Sequence, residues 1–109
     1  MSTRATIKII QKEREPIRLY HHSDGYPSGV GHDLKKYLSG LNDWDWQAEE
    51  IATDIVKGKV ANDNSYEVAN CQHGDEEYAY LIDSDKKSIK CYNVGWDDFN
   101  WTDDKLIEI

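Results

Sequence analysis

The sequence is poor in several residue types, and each scarcity narrows the class of protein. Its two cysteines, Cys71 and Cys91, match neither a disulfide framework nor a CxxC metal or redox motif. It has two prolines, and no apolar run is longer than a few residues, so we expect no membrane-spanning helix. Because the N-terminus also lacks the apolar segment of a signal peptide, we expect a cytoplasmic protein with buried, reduced thiols.

Positive charge is also scarce, above all in the second part of the chain. There are 13 bases against 21 acids, which gives a formal net charge of −8. Residues 1–61 carry nine acids and nine bases, whereas residues 62–109 carry twelve acids and four bases. This excess of negative charge repels the backbone of a nucleic acid unless a local basic patch overrides it. We therefore expect a basic protein as the partner, and neither nucleic acid nor a membrane.

The composition is that of a folded domain with a modest core. With 109 residues, 39% of them hydrophobic, the chain is expected to form a single α+β domain over residues 1–109. Residues 3–10 and 17–22 alternate apolar and polar side chains on either side of a polar turn, which predicts a β-hairpin. Apolar residues then recur at helical spacing through residues 30–41, which predicts a helix.

A second helix and further strands complete the predicted fold. The second helix is expected to begin at a cap formed by Asn42 or Asp43 and to end at Gly58. Three strand-like segments follow, at residues 66–71, 78–83 and 88–94. The order is ββααβββ, and we expect an antiparallel sheet of about five strands with both helices on one face.

The stretch from His21 to Gly31, HHSDGYPSGVG, carries the most information about a possible site. Its glycines and its one proline predict an irregular connection between a strand and a helix, with Ser28 or a neighbour as the helix cap. Two imidazoles and a carboxylate suit a divalent metal or acid–base chemistry. On a strand, however, His21 and His22 point to opposite faces, so at most one of them can join Asp24.

Two interpretations of this loop remain open. In the favoured one the loop is structural, because glycine supplies the backbone angles and Asp24 accepts backbone N–H groups in an Asx-type turn. In the alternative it binds a small ligand or nucleotide, or serves a metal-dependent hydrolase, as an anion nest beside the histidines. The ligand-binding residues would then be His22, Asp24, Gly29 and Gly31. The bases that could gather near them are Arg4, Arg18, Lys35 and Lys36.

No residue is assigned a catalytic role, and neither a cofactor nor a resident metal is assigned. Further metal ligands for the loop would have to come from His32 and His73, which are distant in sequence. Three acids fall on or near one surface of the second helix, an arrangement that some two-metal nucleases use. They are Glu49, Glu50 and Asp54. We interpret them as a solvated helix face whose charge favours the helix N-terminus.

The acidic and aromatic segment near the C-terminus is the second candidate site. Its partner-binding residues would be Trp96, Asp97, Asp98, Phe99, Trp101, Asp103 and Asp104. Aromatic anchors inside a negative rim suit docking on a basic groove. The alternative is that the aromatic side chains fold back over the sheet or the helices while the acids stay solvated.

Two stretches also resemble a family of small phage and mobile-element proteins. The first is TRATI at residues 3–7, and the second is LYHHSDGYPSGVG at residues 19–31. The family opens with a similar TRA strand and carries the signature YxHWDGYPxGxG, from which this chain departs at Ser23, where the family has Trp. The late hairpin, residues 78–94, also looks like the second half of that family.

The resemblance implies a genomic context, since the family has no established activity. Small acidic phage proteins are often antagonists of host defence, and they include anti-CRISPR proteins that occupy nucleic-acid-binding surfaces. The expectation is therefore an acidic, non-enzymatic protein that binds and inhibits a host protein. The alternative is a ligand-binding module or a small hydrolase that uses the loop from His21 to Gly31.

Overall fold

The computed structural model describes residues 3–70, 74–95 and 101–109, and within them six strands form one sheet. The strands are β1 (Ala5–Ile10), β2 (Ile17–His21), β3 (Glu67–Ala69), β4 (Tyr78–Asp83), β5 (Ser88–Asn93) and β6 (Leu106–Ile107). Two helices, α1 (His32–Ser39) and α2 (Ala48–Val56), lie between β2 and β3. The α+β class is confirmed, and the short β6 adds a strand to the predicted five. No helix in the described ranges has the length and apolarity needed to cross a bilayer.

The strand order is β3-β2-β1-β4-β5-β6. All neighbours are antiparallel, as predicted, except the central pair β1 and β4, which is parallel. The exception follows from the path of the chain. Because β3 is antiparallel to β2, it runs in the same direction as β1. The chain then crosses to the free edge of β1 and forms β4, which runs in the same direction as β3 and is therefore parallel to β1.

Both helices pack on one face of the sheet, as predicted, and the main core lies between them and the strands. The odd-numbered side chains of β1 point into this core, in keeping with the period of two that the sequence shows. The fully buried aliphatic residues of the core include Ile7, Ile9, Leu19, Leu34, Ile51, Ile55 and Ile82.

The opposite face of the sheet, called the second face below, carries the even-numbered side chains of β1. A smaller apolar cluster lies there, in which Trp101 packs on Tyr92 with ring centroids 5.8 Å apart. The connection into β4 passes one end of this face, where Asp75 Oδ2 lies 3.4 Å from Arg4 Nε.

Helix α2 begins about one turn later than the sequence predicts. Asn42 instead caps a single 3₁₀ turn at Asp43–Asp45, and its backbone and side-chain N–H groups donate to the Asp45 carboxylate. Trp46 then leaves the helical conformation, with φ −79° and ψ 67°, which interrupts the helix. The N–H of Ala48, the first residue of α2, donates to Gln11 Oε1 over 2.9 Å. A side chain from the β1–β2 turn therefore caps the helix.

Candidate functional site

The loop from His21 to Gly31 is more regular than the sequence predicts. Residues Pro27–Gly31 form a π-helical turn that runs directly into α1, and Gly31 has helical angles. Among the described residues no side chain caps this junction, so the predicted cap at Ser28 is wrong. Pro27 begins this turn and has no N–H group, so one of the donors that a capping side chain would satisfy is absent.

Glycine is required in this loop for space as well as for backbone angles. A Cβ atom at Gly29 would lie 2.3 Å from the carbonyl oxygen of Asp24. At Gly31 it would lie 3.1 Å from the ring of Tyr80, which is fully buried. The Tyr80 hydroxyl in turn donates to the carbonyl of Gly25 over 2.6 Å. Burial raises the pKa of Tyr80 far above its usual range, so this hydroxyl keeps its proton.

Three backbone N–H groups of the loop donate to carbonyl groups of the chain. Gly25 donates to Thr3, Gly29 to Tyr26, and Val30 to the carbonyl of Asp24, all within 2.9 Å. Donors already engaged in this way are not directed at an anion, which favours the structural interpretation of the loop.

The four proposed ligand-binding residues point in different directions. His22 lies on the second face, where Arg4 Nε and the Tyr20 hydroxyl both approach its Nδ1 at 3.3 Å. Asp24 has a φ of +54°, and its carboxylate accepts from the Tyr26 hydroxyl instead of from a backbone N–H. The expected Asx-type turn is therefore replaced by one in which the Asp24 carbonyl is the acceptor for Val30. The Cα atoms of Gly29 and Gly31 lie close to the Asp24 carbonyl and the Tyr80 ring, which leaves no space for a ligand on that side.

Of the four bases that could have gathered near the loop, Arg4 contacts one of its residues and the others lie elsewhere. Arg4 contacts His22 and Asp75 on the second face of the sheet, and Arg18 lies on the same face opposite Lys8. Lys35, on α1, donates to the backbone carbonyl of Ile109 at the C-terminus. Lys36 is exposed on α1 and lines a shallow polar recess with Lys59 and Tyr37. These positions do not form one phosphate cradle.

His21 and His22 lie on opposite faces of β2, as predicted, and His21 is the buried one, at 2% exposure. His21 Nε2 lies 2.6 Å from Asp63 Oδ2, and its Nδ1 faces the carbonyl oxygen of Ser23. The ring also packs against Tyr66, with centroids 4.3 Å apart. The buried histidine is therefore satisfied by partners from a distant loop, which the sequence does not reveal.

Ser65 completes this cluster, and its geometry differs from that of a hydrolytic triad. Its hydroxyl lies 3.1 Å from His21 Nε2 and donates to Asp63 Oδ1 over 2.5 Å. In a triad the nucleophile and the carboxylate contact opposite ring nitrogens. Here both contact Nε2, while Nδ1 is engaged by a backbone carbonyl. The cluster therefore holds the loop before β3 against the end of β2 and has no proton relay.

The pKa of Asp63 is lower than usual in this setting. Partial burial works against the charged form, but hydrogen bonds from the side chain and backbone of Ser65 and from His21 outweigh it. Asp63 is therefore ionised at neutral pH. In the described part of the chain, no group of three or more His, Cys, Asp or Glu side chains is arranged to hold a metal ion.

The acidic aromatic segment is described only from Trp101 onward. Trp96, Asp97, Asp98 and Phe99 lie outside the described residues. Trp101 is half-buried on Tyr92, and Lys8 Nζ lies 5.7 Å from its ring centroid. For this aromatic the geometry is that of a side chain folded back on the sheet. Asp103 and Asp104 are exposed on a single 3₁₀ turn and stay solvated.

An exposed tryptophan that sequence analysis did not single out lies at the entrance to α2. Trp44 is 74% exposed, on the 3₁₀ turn that Asn42 caps. It stands between Asp43 and Asp45, and residues 42–56 contain five acids and no lysine or arginine. The sequence signal for an exposed tryptophan here was the pattern DWDW directly after a cap residue. The same pattern is equally consistent with a buried first turn of a helix.

The acids of α2 take part in surface contacts, in keeping with the solvated face that was expected. Glu49 Oε1 pairs with Arg14 over 2.6 Å, and Asp54 accepts from the Tyr37 hydroxyl over 2.6 Å. Glu50 is exposed.

Comparison of the chain with protein-family models, with curated proteins and with solved structures finds no match.

Proposed function

We propose that this chain is a non-enzymatic phage or mobile-element protein that binds a basic surface of a host protein in the host cytoplasm and inhibits it. A nucleic-acid-binding defence component is the kind of target that presents such a surface, which would make the protein anti-CRISPR-like. The observation that carries the proposal is the exposed Trp44 within a strongly acidic surface.

Trp44 has the properties of an interface anchor. Tryptophan is enriched among the few residues that dominate binding energies, and an exposed indole at 74% leaves most of its area available for burial. Its backbone is held by the reciprocal bonds between Asn42 and Asp45. A preorganised anchor loses little conformational entropy when it binds.

The surroundings of Trp44 supply charge that complements a basic partner. Asp43 and Glu50 are exposed, and Asp45 is half-buried, whereas the exposed Glu49 is paired with Arg14. Carboxylates around an aromatic anchor accelerate association with a positive surface and disfavour acidic partners. We call Asp43, Trp44, Asp45 and Glu50 the acidic tryptophan surface. The exposed Asp103 and Asp104 add negative charge to the second part of the chain.

The test combines affinity capture from a bacterial host with an assay of host defence. The tagged chain and its Trp44→Ala variant are used at low ionic strength, and phage or plasmid restriction is measured in cells that express each. We expect the wild type to capture one specific basic protein in a salt-sensitive manner and to relieve restriction. Trp44→Ala is expected to lose both, because the anchor is removed while the fold is kept.

Tyr26→Ala is the matched control, since Tyr26 is an exposed aromatic at 40% on a different surface. It should behave as the wild type does. Capture of the same protein by Trp44→Ala, or unchanged restriction with no specific basic partner, would refute the proposal. A thermal shift with nucleotides or divalent metals that is lost in Asp24→Asn would instead favour the ligand-binding alternative.

A further inference from the structure

We propose that the second face of the sheet binds single-stranded nucleic acid through a row of three bases, Arg18, Lys8 and Lys90, called the cation row below. The row lies on the face opposite the helices. It is therefore a different surface from the acidic tryptophan surface, and the two proposals stand or fall separately.

Strand register places the three bases in one line across the sheet. Arg18 on β2 is directly opposite Lys8 on β1, Lys8 is opposite Leu81 on β4, and Leu81 is opposite Lys90 on β5. Residues paired in this way point to the same face. Since neighbouring strands are about 4.8 Å apart, the row spans about 14 Å. Lys90 is exposed, and Arg18 and Lys8 are half-buried.

The cation row is unfavourable for folding. Like charges directly opposite each other in a sheet destabilise it, and Arg18 and Lys8 are such a pair. In the described part of the chain, none of the three bases makes an ion pair, although the sequence has 21 acids. The side chains between and beside them, Leu81 and Ala69, are uncharged. An anionic ligand across the row would relieve this repulsion.

A phosphate backbone is the anion that fits the row best. A single strand carries one phosphate per nucleotide on a flexible backbone, so it can follow a row about 14 Å long and bring a phosphate to each of the three bases. The guanidinium of Arg18 can contact a phosphate through two parallel N–H groups, and lysines supply point charges beside it. Basic sheet faces with aromatic residues are a common platform for single strands, and the half-buried Trp101 lies beside Lys8 on this face.

Nearby carboxylates limit how much of the face can bind. Glu67 and Asp83 lie on the second face beside the row, and the exposed Asp103 lies near Tyr92. Together with the net charge of −8, they restrict the contact to a narrow strip. Binding is therefore expected to be weak and to depend steeply on salt.

The experiment measures binding of a short fluorescein-labelled oligothymidylate and oligouridylate by anisotropy over a series of salt concentrations. For three phosphate contacts the plot of log K against log salt should have a slope of about −2. Arg18→Gln and Lys90→Gln should each weaken binding and reduce the slope by about 0.7. Lys57→Gln, which removes the same charge from the exposed end of α2, should leave the slope unchanged.

Three outcomes would overturn the proposal. They are no binding of either oligonucleotide at low salt, an equal loss of affinity in Lys57→Gln, and displacement of the oligonucleotide by polyglutamate as efficiently as by unlabelled oligonucleotide. The last result would make an acidic protein segment the occupant. The melting temperature of each variant shows whether it is folded. That of Arg18→Gln should equal or exceed the melting temperature of the wild type, because the repulsion from Lys8 is removed. Trp44→Ala should bind the oligonucleotide as the wild type does.

Discussion

His21 and Asp63 join the end of β2 to the loop before β3 through a contact of 2.6 Å between Nε2 and Oδ2. The other ring nitrogen of His21 faces the carbonyl oxygen of Ser23, so both nitrogens face acceptors. The contact joins a histidine side chain that is 3% exposed to an aspartate side chain that is 35% exposed.

The first prediction concerns the stability that this pair supplies. Asp63→Asn removes a charged acceptor from a buried donor, so we expect a loss of about 1–3 kcal/mol in the free energy of unfolding at neutral pH. Urea denaturation measures this loss. Asp103→Asn, at an exposed position, is the control and should change the stability by less than about 0.5 kcal/mol. Equal effects of the two substitutions would contradict the role of the pair.

The second prediction is the pH dependence of that stability. The folded pKa of Asp63 lies below its ordinary value, with burial opposing the shift and the hydrogen bonds from Ser65 and His21 causing it. The stabilisation is therefore complete above the unfolded pKa of about 3.9 and is lost as the pH falls through the lower folded value. The stability gap between wild type and Asp63→Asn should narrow as the pH falls below about 3.9 and close once the pH is below the folded pKa of Asp63. A gap that does not narrow on acidification would exclude the carboxylate charge as its cause.

The third prediction separates two glycines. Gly29→Ala places a methyl group against the Asp24 carbonyl, at 2.3 Å, so the turn must shift and we expect a loss of about 2–4 kcal/mol. Gly40→Ala is the control, because Gly40 has a φ of −89° and the nearest atom would lie at 3.6 Å. It should be neutral or stabilise the protein by up to about 1 kcal/mol. Thermal unfolding of the two variants measures the contrast.

The fourth prediction tests the hydrogen bond between Tyr80 and the loop. Tyr80→Phe leaves the buried carbonyl of Gly25 without its donor, and we expect a loss of about 1–3 kcal/mol. Tyr26→Phe removes an exposed hydroxyl that lies 3.2 Å from Asp24, so it should have almost no effect. Chemical denaturation measures the loss of stability, and amide hydrogen exchange in residues 25–31 measures how often the loop opens. If both variants unfold as the wild type does, the hydroxyl does not hold the loop.

The fifth prediction concerns the reactivity of Cys91, which is fully buried on β5. Burial raises the pKa of its thiol to about 11, although the contact with the Tyr80 hydroxyl acts in the opposite direction. In a Cys71→Ser variant, the remaining thiol should react with a disulfide reagent at pH about 8 far more slowly in the folded protein than in urea. Rapid labelling without denaturant would show that the core opens.

Local patterns were enough to predict much of the fold. The alternation in residues 3–10 and 17–22 predicts the first hairpin, and the opposite directions of His21 and His22 follow from the same period. The apolar spacing of residues 30–41 and 48–56 predicts the two helices and the side of each that is buried. Each of these features depends on neighbours that are close in sequence, so a short window contains the whole signal.

Features that depend on distant contacts could not be predicted in this way. The partner of His21 is Asp63, and the cap of α2 is the side chain of Gln11. Neither pairing leaves a local signature. The cation row combines residues 8, 18 and 90, so a count of charge along the chain shows an acidic protein and does not show the line of bases that the strand register assembles.

The parallel pairing of β1 and β4 has a consequence for how the chain folds during synthesis. Residues 5–10 can pair with residues 17–21 early, but their other edge stays open until residues 78–83 are made. Closing so long a loop is slow compared with forming a hairpin. Until most of the chain has left the ribosome, the strand that becomes the centre of the sheet is an exposed edge, and it is the segment most in need of protection by a chaperone.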